Sequence, residues 1–216
     1  LIPAVLHQSF DSPQQLTHLL LKQDDCPPMA LAALDMGAWA IKATNQNQSL
    51  AHCLGATKTA VDCGVVIGMS DSLQQVRSLV TKERDRGYKK IKLKISPGCD
   101  YDYLAAVRSD HGNDIQLVVD ANGSYDVDDM DALVALDAFD LLMIEQPFDR
   151  NNIDAHQQLQ ARMNTPICLD ESIRSIDTLQ RVIELDAARV INLKPGRVGG
   201  LTILLEMMAI CERHSI

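Results

Sequence analysis

The sequence is short of several things that mark common functions. It carries 20 Lys and Arg against 29 Asp and Glu, a net charge of −9. That deficit of positive charge argues against a nucleic-acid or anionic-membrane surface, because neutralising phosphates needs basic patches. No apolar run reaches the length of a membrane span. No order of charged, apolar and small residues marks a signal peptide at the start. The six cysteines, Cys26, Cys53, Cys63, Cys99, Cys168 and Cys211, form no C-x-x-C pair. They read as free thiols of a reducing cytosol, so the expected location is cytoplasmic. The six histidines include no H-x-H or H-x-x-x-H pair, which argues against a histidine-based zinc site. No G-x-G-x-x-G follows the first strand-like run, so dinucleotide binding lacks its main signal.

What is present is a regular beat. With 46% hydrophobic and 23% charged residues, the 216-residue chain has the composition of one or two globular domains. From about residue 60 onward, short runs rich in Val, Ile and Leu recur. They are "CGVVIGM" (63–69), "KIKLKI" (90–95), "IQLVVDA" (115–121), "LLMIEQP" (141–147), "PICLDES" (166–172) and "RVINLKP" (189–195). Their length and composition predict strands. Helix-like stretches alternate with them. "SDSLQQVRSLVTKERDRG" opens on Ser70 and Asp71 as cap candidates and ends at Gly87. "YDVDDMDALVALDAF" puts Asp residues in its first turn, where the helix dipole favours them. "SIDTLQRVIELDAA" and "GGLTILLEMMAICERH" behave alike. A strand–helix unit repeated at about 25 residues predicts a parallel sheet, either a (β/α)8 barrel or an open doubly wound sheet. Residues 1–60 differ: "DSPQQLTHLLLKQ" and "PPMALAALDMGAWAIKATNQ" predict helices, the second starting after Pro27-Pro28.

Five ionisable residues fall in phase at the ends of strands two to six: Lys94, Asp120, Glu145, Asp170 and Lys194. The steps between them are 26, 25, 25 and 24 residues. Singly, each has a plain explanation. Asp120 and Asp170 can cap the following helix, Lys194 can be a surface lysine, and Lys92 and Lys94 can line the wet face of a half-buried strand. Together, residues at the carboxyl ends of parallel strands converge on one mouth. Three carboxylates meeting there would repel, and a hard divalent cation such as Mg²⁺ relieves that while leaving positions open for substrate. Lysine titrates readily beside other cations and can act as a base near neutral pH. A carboxylate substrate on the metal would become acidic at its α-carbon, and the enediolate would be held by Mg²⁺ and a lysine ammonium.

The segments "KIKLKISPGCD", "VVDANGSY", "LLMIEQPF", "PICLDESI" and "INLKPGRVGG" resemble the enolase superfamily. More narrowly they resemble its muconate-lactonizing subgroup and the o-succinylbenzoate synthase and N-acylamino acid (N-succinylamino acid) racemase branch. The resemblance spans roughly residues 60–216, and "KPGRVGG" and "KISPG-x-D" are its more specific pieces. It implies a (β/α)8 TIM-type barrel truncated to about six β/α units (61–216), preceded by the helical part of a capping domain (1–60). It implies Asp120, Glu145 and Asp170 as ligands of Mg²⁺, with Mn²⁺ as a substitute. Lys94 would be the acid/base on one face and Lys194 would stand opposite. Lys92 would lower the pKa of Lys94 by like-charge repulsion. Asn122 and Glu171 would be supporting residues. Gly199-Gly200 would start the next helix or shape the substrate pocket.

The implied function is Mg-dependent o-succinylbenzoate synthesis in menaquinone biosynthesis, or N-succinylamino acid racemisation. The partner would be a small-molecule carboxylate, with neither nucleic acid nor membrane, in a parent protein that could be a homo-oligomer. Alternatives are a dipeptide epimerase or cycloisomerase, or a truncated piece without catalysis of its own. Relatives begin with the strands of a capping domain and end with two further β/α units. A chain running from Leu1 to Ile216 therefore reads as cut at both ends, poorly stable and inactive alone.

Overall fold

The computed structural model describes residues 1–70 and 72–216. Six strands form one parallel sheet: β1 (Val65–Ile67), β2 (Lys90–Lys94), β3 (Gln116–Asp120), β4 (Met143–Glu145), β5 (Ile167–Leu169) and β6 (Val190–Ile191). Their order in the sheet is their order in the chain, and every neighbouring pair is parallel. This order separates the two architectures that periodicity left open. A doubly wound sheet reverses its strand order at a switch point, whereas a barrel wall runs sequentially. The sheet is six consecutive β/α units of the barrel type.

Strand β2 shows how the alternation is used. Ile91, Leu93 and the following Ile95 are 0%, 1% and 2% exposed, while Lys90, Lys92 and Lys94 are half-buried. The apolar face joins the core with Leu117, Val119, Ile144, Ile167 and Leu169, and the helices add Val76, Val80, Leu104, Val107, Leu133 and Leu159. Each such side chain contributes about 1.5–3 kcal/mol by leaving water.

Local chemistry sets the helix ends. The helix Leu73–Asp85 is capped by Ser72, whose Oγ accepts from the Gln75 amide at 3.2 Å. Of the two cap candidates in the sequence, Asp71 lies outside the described residues, and Ser70 instead donates to Gln75 Oε1 at 2.8 Å. The stretch 125–139, expected as one helix, is a short α-helix (Met130–Ala135) between two 3₁₀ turns. Asp126 and Asp129 form a capping box that tightens the entry, and Asp140 in the left-handed region ends the segment.

The chain divides into two compact units. One, Asp62–Ser172 with Gln180–Asn192, holds the sheet. The other comprises Leu1–Val61, Ile173–Leu179 and Leu193–Ile216. Residues 1–61 contain helices and no strand among the described residues, as the sequence predicts. The last helix, Leu201–His214, groups with these N-terminal helices.

The reason for that grouping is Asp35. It is fully buried, on the helix Pro28–Asn45. Its Oδ2 accepts from the backbone amides of Leu201 at 2.6 Å and Thr202 at 3.2 Å, and its Oδ1 accepts from the hydroxyls of Thr17 at 2.6 Å and Thr202 at 2.5 Å. The helix Leu201–His214 has no cap of its own, because its N-cap is Gly200. Asp35 supplies the cap from a distant helix. Gly200 has φ of 121°, and a Cβ there would collide with the Asp35 carboxylate. The Gly199-Gly200 turn thus has a structural cause as the start of a helix.

Asp35→Ala leaves two helix amides and two hydroxyls unsatisfied, and is expected to cost about 3 kcal/mol. Urea unfolding of the variant measures this, and a loss below about 1 kcal/mol would contradict the role given to Asp35.

Candidate active site

Parallel register brings the charged strand ends side by side. Lys94 pairs with Asp120, and Asp120 pairs with Glu145, so the last residues of β2, β3 and β4 form one row. Glu145 in turn pairs with Cys168, which puts Asp170 two residues further along and just past β5. Asp120, Glu145 and Asp170 are 2%, 2% and 1% exposed. Burying carboxylates this deeply is costly unless each is paired.

The lysines provide the pairing. Lys92 Nζ lies 3.0 Å from Asp120 Oδ2 and 3.0 Å from Glu145 Oε2. Lys94 Nζ lies 2.7 Å from the same Asp120 Oδ2 and also donates to Asn122 Oδ1. Glu145 Oε1 accepts from Asn192 Nδ2 at 3.2 Å. Asn122 completes the chain, its Nδ2 donating to Glu171 Oε1 at 2.9 Å. The lysine face of β2 is therefore turned to buried carboxylates. Burial lowers the pKa of Lys92, but its bonds to Glu145 and Asp120 and their charges outweigh this, and the net shift is upward. In this arrangement Lys92 is engaged by two carboxylates rather than acting only as a like charge beside Lys94.

Beneath this row lies a cavity of about 360 Å³, lined by Lys90, Lys92, Val118, Glu145, Cys168 and Asn192 among others. The Cys168 thiol is held well above its ordinary pKa, first by burial and then by the Glu145 and Asp170 charges.

Among the described residues, no three His, Cys, Asp or Glu side chains are gathered as a ready metal cage. The expected convergence of Asp120, Glu145 and Asp170 takes another form: Asp120 and Glu145 turn onto Lys92. The donor set still fits a hard divalent cation. Asp120, Glu145, Asp170 and Glu171 bring four formal negative charges against the two ammoniums of Lys92 and Lys94, leaving an excess of two, all on oxygen.

A second layer holds this rim, and the sequence reading missed it. Gln146 directly follows Glu145, is buried, and sits in the left-handed region at φ of 42°. Its Oε1 accepts from the amides of Asp170 at 3.0 Å and Ser172 at 3.1 Å, and its Nε2 donates to Ser172 Oγ at 2.8 Å and Phe148 O at 3.1 Å. His156 lies below, fully buried. Its Nε2 accepts from the Phe148 amide at 3.2 Å, so its Nδ1 carries the hydrogen donated to Asn152 O at 2.8 Å. Burial pulls its pKa down to about 4, against smaller opposing effects of Asn152 and Asp149. Asn192 and Cys168 were legible in principle. Each stands two residues before a flagged position, as Lys92 does before Lys94. Lys194 belongs to the other compact unit, where it is exposed and forms the N-cap of the short turn Pro195–Val198.

Comparison with known proteins gave consistent matches. Residues 75–216 match the family described as "Enolase C-terminal domain-like". The chain is 39% identical over 213 residues to the o-succinylbenzoate synthase of Bacillus subtilis (strain 168), covering 99% of this chain and 57% of that protein. It is 40% identical over 216 residues to the N-succinylamino acid racemase of an Amycolatopsis species, covering 100% and 58%. Among solved structures, L-talarate dehydratase from Polaromonas sp. JS666, complexed with Mg and L-glucarate, superposes with a TM-score of 0.90 at 26% identity, covering 100% of this chain and 64% of that one. The chain thus spans rather more than half the length of the curated relatives it matches.

Two predictions follow from the charges. Lys92→Met should destabilise by about 2 kcal/mol at neutral pH, a buried-pair cost discounted for the partial exposure of Lys92. Because the folded pKa is raised, this contribution is complete below the ordinary lysine value of 10.5 and is lost as pH climbs through the folded value above it. A variant-to-wild-type difference that vanishes by about pH 8 in urea unfolding would contradict the pairing. His156 works in the opposite direction: the unfolded chain takes up a proton that the fold refuses. Stability should fall by about 3 kcal/mol as pH drops from the ordinary 6.5 towards about 4, and flatten below. His156→Gln should lose that slope.

Proposed function

The chain belongs to the Enolase C-terminal domain-like family, and on that premise we propose that the protein it comes from is a metal-dependent o-succinylbenzoate synthase. It would remove water from a cyclohexadiene carboxylate, a step of menaquinone biosynthesis in the cytoplasm. The observation that carries this reading is the pair of lysine ammoniums sharing one buried aspartate oxygen, in register with a second buried carboxylate. Such a row suits chemistry at a carbon next to a substrate carboxylate, where a proton must leave and negative charge must be accommodated.

In this reading Lys94 is the acid/base. As the neutral amine it would take the α-proton, with the C–H electron pair passing into the substrate carboxylate. As that pair returns to form the new C=C bond the C–O bond breaks, and the leaving hydroxyl takes the proton back from the Lys94 ammonium and departs as water. Lys194 serves the opposite face, as a stabilising ammonium. Lys92 holds Asp120 and Glu145 apart from each other's charge, and Asn192 fixes the second oxygen of Glu145. Asp120, Glu145 and Asp170 would hold Mg²⁺, with Mn²⁺ as a substitute. When bound, the cation supplies Lewis acidity that makes the α-proton of the substrate easier to remove.

Racemisation of N-succinylamino acids is the second reading, favoured by the 40% identity to a racemase. It needs the same abstraction, followed by return of a proton to the other face from Lys194 instead of loss of water. The two activities draw on one site and are separable only by assay.

The test is the full-length protein assayed on both substrates with and without a chelator. Turnover on at least one should vanish with chelation and return with Mg²⁺, and Lys94→Arg should lower it by about a hundredfold or more. Millimolar Mg²⁺ should also raise the melting temperature of the wild type and not of Asp120→Asn. Silence on both substrates with Mg²⁺ present would sink the proposal.

A further inference from the structure

Lys94 touches two groups, and the second raises a question of geometry. Asp120 Oδ2 accepts one hydrogen of its ammonium at 2.7 Å, which leaves rotation about that bond open and the other two hydrogens undirected. Asn122 Oδ1 accepts from the same Nζ. An amide does this only with its oxygen forward, since its NH₂ end would meet the ammonium donor to donor. Asn122 is exposed, so water could accept its hydrogens in either orientation. Something must select one.

Glu171 makes the selection. Its Oε1 accepts from Asn122 Nδ2 at 2.9 Å. A carboxylate cannot donate, so it demands the NH₂ end of the amide and leaves the oxygen pointing at Lys94. The backbone supports this. Asn122 is held at φ of 47°, in the left-handed region, and its amide donates to Asp120 Oδ1 at 3.2 Å. Gly123 follows at φ of 74°, and a Cβ there would press to 3.1 Å of the Phe148 carbonyl. Glu171 itself is held at a cost, for its Oε2 is buried and accepts no hydrogen bond from the protein. Leaving such an oxygen unpaired is unfavourable, and a residue kept in that state is there for what its other oxygen does.

We infer that Glu171 is a positioning residue: it orients the Asn122 amide, which in turn aims the Lys94 ammonium. Its bond is to Asn122 and not to Lys94. The inference rests on the acid/base role proposed for Lys94 and goes beyond it by naming what directs that lysine.

The experiment uses the full-length protein and an N-succinylamino acid in D₂O. The two enantiomers are followed separately by exchange of the α-proton, and Lys94→Arg identifies the enantiomer that depends on Lys94. In Glu171→Ala, exchange of that enantiomer should fall about tenfold, with KM little changed, while the other stays within about twofold. Glu171→Gln keeps an oxygen for Asn122 Nδ2 and should recover to within about threefold of wild type. Crystal structures of both variants add a readout independent of activity: the Lys94–Asn122 contact should open in Glu171→Ala and persist in Glu171→Gln. Equal slowing of both enantiomers, or an intact contact in Glu171→Ala, overturns the inference. Absence of exchange by the wild type would instead count against the proposed function, and the crystallographic comparison would still judge Glu171.

Discussion

The fold at this site turns on one requirement: Asp120 and Glu145 are buried at the end of a sheet and must find positive charge there. Desolvating a carboxylate costs several kcal/mol, and only close, well-placed partners offset it. Lysines from β2 meet the need because β2, β3 and β4 are sheet neighbours in chain order and in register. A sheet with the same strands in a different order would strand these charges. The sequential wall and the charged row are thus two aspects of one constraint.

The rim above the row depends on backbone that ordinary residues avoid. Asn122 and Gln146 both stand in the left-handed region, two residues after Asp120 and one after Glu145. Each such conformation costs of order 1 kcal/mol and persists only where the surroundings impose it. At Gln146 those surroundings are visible. One side-chain amide satisfies the Asp170 and Ser172 amides and bonds to Ser172 Oγ and the Phe148 carbonyl. The chain leaving β4 therefore shapes the chain leaving β5, and Asp170 is aimed by a residue 24 positions earlier.

This also explains how far the sequence could be read. Alternation in "KIKLKI" and the spacing of Lys94, Asp120 and Glu145 are periodic signals, and a period becomes a face as soon as a strand forms. Residues on that face were legible, including the half-buried lysines. Gln146 and His156 obey no period. They act through single hydrogen bonds across turns, and nothing in "EQPF" distinguishes a buried clamp from a strand exit. Asp35 was hidden for the same reason, since the helix amides it caps are 166 and 167 residues away. The spacing of Asp120, Glu145 and Asp170 at strand ends placed them at one mouth, but no periodic signal tells that Asp120 and Glu145 turn their oxygens to Lys92 and Lys94.

Asp35 and Asp120 then make an instructive pair, two buried aspartates with different kinds of partner. Asp35 is satisfied by backbone amides and by hydroxyls on rigid helices. Those donors belong to the helices themselves, and the missing side chain of Gly200 is what lets the Asp35 carboxylate sit against them. Asp120 is satisfied largely by two ammoniums at the ends of long flexible stems, both on one oxygen. Lysine stems can swing away without moving the backbone, and a carboxylate that gives them up can serve another cation. The first arrangement can only hold a structure together. The second can exchange partners, and exchange of partners at a buried oxygen is what a site handling protons and cations requires.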